Sequence, residues 1–319
     1  MALYLVTGAA GFIGSSLCRT LLAQGERVRG LDNFATGKPE NIAAFRSQID
    51  FREASLLDEA ALKDACAGVD YILHQAAIPS VPKSVLDPVT SHRANIEGTL
   101  NVLMAAREAK VKRVVYAASS SAYGETPVLP KREDMAASPI SPYAVQKLCG
   151  EQYMTSFYRV YGLETVSLRY FNVFGPYQDP TSMYSGVLAK FCTAMLRGET
   201  PTIYGDGEQS RDFTFIDNTV SANLLAATAP AAHVAGRMFN CATGQRYTLN
   251  QTVEILRGIT GYTGKVNYEP ARKGDIKDSL ADISAAEKAM GYKVLVGFEE
   301  GLKRTVEWYK SAVVVAQKA

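Results

Sequence analysis

The chain has 319 residues, with 34 basic and 32 acidic side chains, a net charge of +2 and a hydrophobic fraction of 47%. That is enough apolar chain to bury a sizeable core in one large or two closely joined domains, and because the charges are mixed along it, no surface for nucleic acid or an anionic membrane is expected. The five cysteines (Cys18, Cys66, Cys149, Cys192, Cys241) form no Cys-x-x-Cys pair and the three histidines (His74, His92, His233) lack metal-ligand spacing, so a disulfide framework and a metal site are set aside and a reduced, cytoplasmic setting is expected.

The first apolar run, ALYLVTG, has no basic segment before it and meets a glycine cluster at once, so it reads as a strand rather than a signal peptide. No stretch is long enough to span a bilayer. Between this strand and the helix SSLCRTLLAQG lie Gly8, Gly11 and Gly14 at the spacing G-x-x-G-x-x-G. Glycines there let backbone approach a pyrophosphate, and the following helix offers unpaired N–H groups and the positive end of its dipole. Three glycines alone would also suit a plain strand-to-helix turn.

The next strand, RVRGLDN, ends at Asp32, where a carboxylate can accept both ribose hydroxyls of an adenosine and would repel a 2′-phosphate. NAD is therefore expected rather than NADP. A turn-capping carboxylate before Asn33 is the alternative, the weaker one beside the glycines. LKDACAG, YILHQAA, GTLNVLMAAREAK and RVVYAAS continue an alternation of helices with apolar strands, which means a parallel sheet with crossover helices, and strands this uniformly apolar need helices on both faces. The expected fold class is α/β, a doubly wound (Rossmann) parallel sheet with a smaller, interleaved C-terminal α/β lobe.

Ser141-Pro142-Tyr143-Ala144-Val145-Gln146-Lys147 opens a long helix, with Ser141 as N-cap and Pro142 at its first position. Tyr143 and Lys147 then share a face, and an ammonium beside a phenol favours the phenolate. Moving a tyrosine from about 10 towards 7 takes roughly 4 kcal/mol, within reach of a lysine assisted by a cationic nicotinamide. Two such residues one turn apart are also common surface neighbours. The strand Val114–Ser119 shifts the balance, because it ends at the C-terminal edge of the sheet, where ligands bind in such folds, and brings Ser119 to the same place. Ser120 and Ser121 remain open between turn and site residues.

After about residue 172 the pattern becomes irregular, with FGPYQDPTSMYSG, a short helix and the loop GDGEQSRDF. Residues 238–243 look like a late strand returning to the first sheet, ahead of a helix at about 249–259. The expected division is a cofactor-binding domain over 1–172 with a returning segment near 214–245, and a substrate lobe over 173–213 and 246–319.

Gly8-x-x-Gly11-x-x-Gly14, Ser119 with Tyr123-Gly124, Tyr143-x-x-x-Lys147, the run Arg169-Tyr170-Phe171-Asn172-Val173-Phe174-Gly175-Pro176 and Arg211-Asp212-Phe213 together resemble the extended short-chain dehydrogenase/reductases, in particular the UDP-sugar 4-epimerases, over nearly the whole chain. The resemblance implies a mechanism in which Tyr143, held as phenolate by Lys147 and assisted by Ser119, takes the O4 proton while the C4 hydride passes to NAD. The 4-keto sugar turns over and is reduced on its other face. It also implies cofactor contacts at Gly8, Gly11, Phe12, Ile13, Gly14, Asp32, Asn33, Thr36, Gly37, Ser55, Leu56, Gln75, Ala76, Ala77, Asn95, Ala117, Tyr143, Lys147 and Tyr170. Substrate contacts follow in the same way at Ser80, Ser119, Ser120, Ser121, Asn172, Gly186, Val187, Lys190, Tyr204, Arg211, Arg272, Asp275 and Ser279. Among these, Arg211 and Arg272 would hold the diphosphate, where bidentate geometry favours arginine, Tyr204 would stack near uracil and Asp275 would bind the nucleotide ribose. Ser80 is equally well explained as part of a Pro-Ser turn, and His74 is expected to be structural.

Departures from the family pattern narrow the reaction. Where related sugar dehydratases carry Asp-Glu after the catalytic hydroxyl this chain has Ser120 and Ser121, so elimination lacks an acid/base agent and epimerisation is favoured. Ser279 stands where the family places a residue whose bulk limits the group on sugar C2; a serine leaves room for N-acetyl, which points to UDP-GlcNAc/UDP-GalNAc and leaves UDP-glucose/UDP-galactose open. Pro79 and Ser55 replace a lysine and an aspartate that touch the cofactor in relatives, implying weaker retention. A UDP-glucuronate 4-epimerase and a non-catalytic NAD-binding sensor or scaffold are the rival functions. Leu100, Val102, Leu103 and Met104 give the helix around 95–109 more than one apolar face; relatives pair this helix and the one around 143–160 across a dimer, so the resemblance implies a homodimer, the alternative being burial of both against the sheet.

Overall fold

The computed structural model describes residues 1–180, 186–271 and 277–316, with side chains as far as Ser311. Strand β1 (Leu3–Thr7) is buried throughout, and β2 (Arg27–Asp32), β3 (Asp50–Glu53), β4 (Tyr71–His74), β5 (Arg113–Ser119), β6 (Glu164–Tyr170) and β7 (Arg237–Cys241) join it in a seven-stranded sheet of order β7-β6-β5-β4-β1-β2-β3. Every pairing in it is parallel. Because alternate residues leave opposite faces of a strand, Leu5, Ile72 and Val114 enter one apolar cluster and Val6, Leu73 and Val115 the other. Both faces are therefore covered, as the uniformly apolar strands require. The exception is β3, an edge strand with the sequence DFRE and no fully buried residue, which carries no apolar run and was not visible from periodicity.

Helix α1 (Phe12–Ala23) lies on the Val6 face; α2 (Glu59–Cys66), α3 (Gly98–Glu108) and α4 (Pro142–Tyr161) lie on the Leu5 face. Helix α1 starts earlier than the sequence suggests, at Phe12, so Gly14 is inside its first turn rather than before it. The reason is close packing: a Cβ on Gly14 would lie 2.0 Å from the Gly8 carbonyl oxygen. The helix expected over 95–109 begins with a π turn at Arg93–Glu97 before α3. Helix α4 is capped as read, the Ser141 hydroxyl accepting from the Ala144 N–H, and ends at Gly162 with φ +71°.

The strand order reverses between β1 and β4, which opens a crevice at their C-terminal ends, where open α/β sheets take ligands. Helices α5 (Val187–Leu196), α7 (Leu249–Thr260) and α8 (Phe298–Ala316), with short strand pairs between them, form the lobe beside that crevice, while α6 (Ile216–Thr228) packs next to α1 on the Val6 face of the sheet. The Phe298 ring stacks on Phe213 at 5.1 Å and on Tyr247 at 4.3 Å and meets Phe174 edge-on at 5.6 Å, which holds these pieces together; such ring pairs contribute about 0.5–1.5 kcal/mol each beyond area burial. Among the described residues no helix is long and apolar enough to cross a membrane.

Candidate active site

The turn after β1 is a cradle that has room for no side chain at Gly8. Gly8 has φ +70°, and a Cβ there would lie 2.8 Å from the Ala76 nitrogen. Gly11, the N-cap of α1, makes no side-chain cap bond, so the N–H groups of Phe12 and Ile13 face the crevice without a capping side chain, a setting suited to a pyrophosphate. Asp32 closes the other side. Its carboxylate accepts from Ala10 N at 2.9 Å and Phe34 N at 2.8 Å, and burial raises its pKa against those two donors. Gly37 touches it so closely that a Cβ would stand 2.9 Å from Asp32 Oδ2, whereas Asn33 and Thr36 are exposed. A dinucleotide pyrophosphate and ribose thus fit the residues present.

The remaining candidate cofactor residues form the walls. His74 at the end of β4 has both ring nitrogens engaged, Nδ1 with Thr7 Oγ1 at 2.8 Å and Nε2 with Thr99 Oγ1 at 3.0 Å, and burial pushes it down to about 3, so it is neutral and structural. Gln75 and Tyr170 meet over the crevice, the Tyr170 hydroxyl lying 3.0 Å from both Gln75 Oε1 and Asn223 Oδ1. Asn95 spends its amide on the loop and on α4, accepting from Ile78 N at 2.8 Å and donating to Gln146 Oε1 at 2.8 Å, so it shapes the wall through Ile78. Ala76 and Ala77 are half-buried on that loop; Leu56 is buried, and the Ser55 hydroxyl accepts from Leu57 N at 3.2 Å in the turn after β3. Ser80 is the N-cap of the short helix 81–86, its hydroxyl accepting from Lys83 N.

At the centre, the Ser119 hydroxyl at the end of β5 is a hydrogen-bond partner of the Tyr143 phenol and accepts from the Ser121 hydroxyl at 2.8 Å; Ser120 is half-buried beside them. Burial raises the Tyr143 pKa and the Ser119 bond lowers it. One turn on, Lys147 donates to the Ala117 carbonyl at 2.8 Å, and burial pushes it down to about 8, with Glu151 opposing. Ser84 adds a contact that sequence reasoning missed, its hydroxyl accepting from Tyr143 N at 3.0 Å and anchoring the first turn of α4.

The lobe above holds a pocket of about 270 Å³ lined by Asn172, Gly186, Val187, Tyr204 and Arg211. Five residues read as substrate contacts thus converge, although the chain separates them widely. Phe213, from the Arg211-Asp212-Phe213 motif, shares the lining with Gln178, Gln209 and Leu249, and these three carry no motif by which the sequence could have revealed them. Lys190 is half-buried on α5 nearby. Arg211 donates to the Ser210 and Lys277 carbonyls at 2.9 Å each. Asn172 has φ +35° and donates to the Asp212 carbonyl at 2.9 Å and to Ser279 Oγ at 3.2 Å. Asp212 is the buried hub of this corner: it accepts from Thr243 N, Thr243 Oγ1, Gly244 N and Ala281 N, and burial lifts its pKa to about 6 against those donors. Arg272 and Asp275 lie outside the described residues.

The family model described as the NAD dependent epimerase/dehydratase family matches residues 4–242. The chain is 38% identical to a UDP-glucose 4-epimerase of Mycolicibacterium smegmatis, over 96% of this chain and 98% of the relative. Among solved structures it resembles a UDP-glucose 4-epimerase of Thermotoga maritima with UDP-glucose, at TM-score 0.92 and 39% identity over 98% of this chain and 99% of that one. It also resembles a UDP-N-acetylglucosamine 4-epimerase of Methanobrevibacter ruminantium in complex with UDP-N-acetylmuramic acid, at TM-score 0.91 and 39% identity with the same coverage.

Proposed function

The chain belongs to the NAD dependent epimerase/dehydratase family, and from that premise we propose that it interconverts UDP-GlcNAc and UDP-GalNAc by inversion at C4, with UDP-glucose and UDP-galactose as a second pair. By class it is an NAD-using isomerase, a UDP-sugar 4-epimerase. The choice of the N-acetylated pair rests on Ser279. Its small side chain sits against Asn172 at the edge of the pocket, and its hydroxyl accepts two hydrogen bonds while keeping its own proton to donate, so an acetamido group has both room and a partner.

NAD supplies a reversible acceptor for the C4 hydride. The protein's share is proton handling and orientation. Tyr143, with Ser119 bonded to its phenol, takes and returns the O4 proton, and the Lys147 ammonium favours the phenolate. Gly8, Gly11 and Gly14 would admit the pyrophosphate, and Asp32 would accept the ribose hydroxyls. The pocket of Asn172, Gly186, Val187, Tyr204 and Arg211 holds the nucleotide, leaving the hexose to present either face. Residues 1–172 with 214–245 would serve the cofactor, and 173–213 with 246–319 the sugar nucleotide. The exposed apolar side chains Met104, Val145, Tyr158 and Tyr161 on α3 and α4 suit a homodimer formed through these helices.

The test is product analysis. Incubation with UDP-GlcNAc and catalytic NAD should yield UDP-GalNAc without accumulating reduced cofactor, and Tyr143→Phe should lower the rate at least 100-fold, as expected for loss of a general acid/base of about 10²–10⁴. Undiminished turnover by the variant would contradict the mechanism.

A further inference from the structure

The reactive helix carries a third polar group in register with the first two. Tyr143, Lys147 and Glu151 recur every four residues of α4, so each lies about 6 Å along the axis from the last, on one face. Glu151 is buried at 2% exposure and is held by Arg169, itself at 1%, in a two-point fork: Nε to Oε1 at 2.9 Å and Nη2 to Oε2 at 2.8 Å. Arg169 pairs in β6 with Ala118 of β5, one residue before Ser119, and its guanidinium lies 4.4 Å from the Tyr123 ring centroid. A buried pair of this kind adds little stability over an apolar one, which invites a question about its charge.

We propose that Glu151, clamped by Arg169, is a positioning residue that keeps the Lys147 ammonium charged and thereby sets how readily Tyr143 loses its proton. Lys147 is buried, and the partner found for it among the described residues is a neutral carbonyl, Ala117 O at 2.8 Å; one neutral acceptor does not offset the cost of burying a cation. Among the described residues, the groups packed around it offer no other anion. The Tyr116 ring lies 4.9 Å from its ammonium with a hydroxyl held well above its ordinary pKa, His74 is neutral, and Arg169 is cationic. Glu133, whose pKa burial raises, is held towards its ionised form by the Asn240 N–H it accepts and by Arg169, and it is not a cause of the Lys147 shift. Glu151 is the charge that opposes the fall in the Lys147 pKa. The arginine fork fixes the carboxylate one turn away from Lys147, so it acts through space and leaves the ammonium on the Ala117 carbonyl.

This inference rests on Tyr143 and Lys147 being the reactive couple, and the test separates the two. In Glu151→Gln the alkaline limb of kcat/KM, where Lys147 loses its proton, should move down by about one pH unit, a tenfold change in that equilibrium. Tyrosinate absorbance of Tyr143, obtained by subtracting Tyr143→Phe and independent of turnover, should move to higher pH. Glu151→Asp should restore much of both. If Glu151→Gln lowers turnover evenly across pH with both titrations unmoved, Glu151 is merely structural and the proposal falls. Should that variant fail to fold, Glu151→Gln with Arg169→Met removes both charges together, and the same two titrations decide. Full activity of Tyr143→Phe would instead overturn the couple itself.

Discussion

Ser279 and Asn172, 107 positions apart in the chain, meet through a hydrogen bond of 3.2 Å from the Asn172 amide to the Ser279 hydroxyl, and the same hydroxyl accepts from Asp212 N at 3.3 Å. The serine is therefore fixed in place as a small wall beside Asn172, which lines the pocket of the upper lobe.

Ser279→Tyr should close that wall. Conversion of UDP-GlcNAc is expected to drop at least tenfold in kcat/KM, a loss of about 1.4 kcal/mol or more, while UDP-glucose changes only a few-fold. Equal losses for both would show that Ser279 does not read the C2 substituent.

Lys147→Met should exchange stability for function. A lysine pushed down from 10.5 to about 8 binds its proton less readily when folded than unfolded, so below pH 8 the fold carries the whole penalty and above pH 10.5 none of it. An apolar side chain of similar length removes a cost of up to about 3 kcal/mol at neutral pH. Thermal unfolding of the variant should come at a higher temperature at pH 7, with the advantage shrinking towards pH 10, while turnover falls to background.

Gly14→Ala should be far more damaging than Gly11→Ala. At Gly14 the new Cβ meets the Gly8 carbonyl at 2.0 Å, whereas at Gly11 the same oxygen is 3.1 Å away. The first should cost about 3 kcal/mol or more through backbone displacement and abolish NAD binding; the second should weaken binding with little change in melting temperature. Calorimetry with and without NAD compares them.

His74 fixes part of the acid response. Its folded pKa of about 3 lies below the ordinary 6.5, so the unfolded chain binds the proton first and stability falls as pH drops from 6.5 towards 3, by up to about 5 kcal/mol. His74→Gln should flatten the melting temperature between pH 7 and 5 relative to the parent chain. An identical slope in both would assign the acid response elsewhere.

The sheet was legible because its strands carry their own signal: ALYLV, YILH and RVVYAAS are apolar throughout and bounded by turns, and burial on two faces requires that pattern. Strand Asp50–Glu53 was not, since an edge strand needs no apolar residues. The glycine spacing and the Tyr143/Lys147 pair were legible because each is local, set by a turn or by one helical repeat. Asn223 and Ser84 were invisible for the opposite reason: they reach Tyr170 and the Tyr143 backbone only through tertiary contact, and nothing in DNTVSAN or PKSVL announces it. The early start of α1 at Phe12 was missed because Gly14 reads as a helix breaker until its contact with Gly8 is seen.

The central claim is best tested by measuring kcat/KM for UDP-GlcNAc, UDP-glucose and UDP-glucuronate on one preparation with saturating NAD. UDP-GlcNAc is expected to be converted to UDP-GalNAc at least as efficiently as UDP-glucose is epimerised, with UDP-glucuronate well below both. Turnover of UDP-glucuronate alone, or of UDP-glucose with UDP-GlcNAc inert, would contradict it.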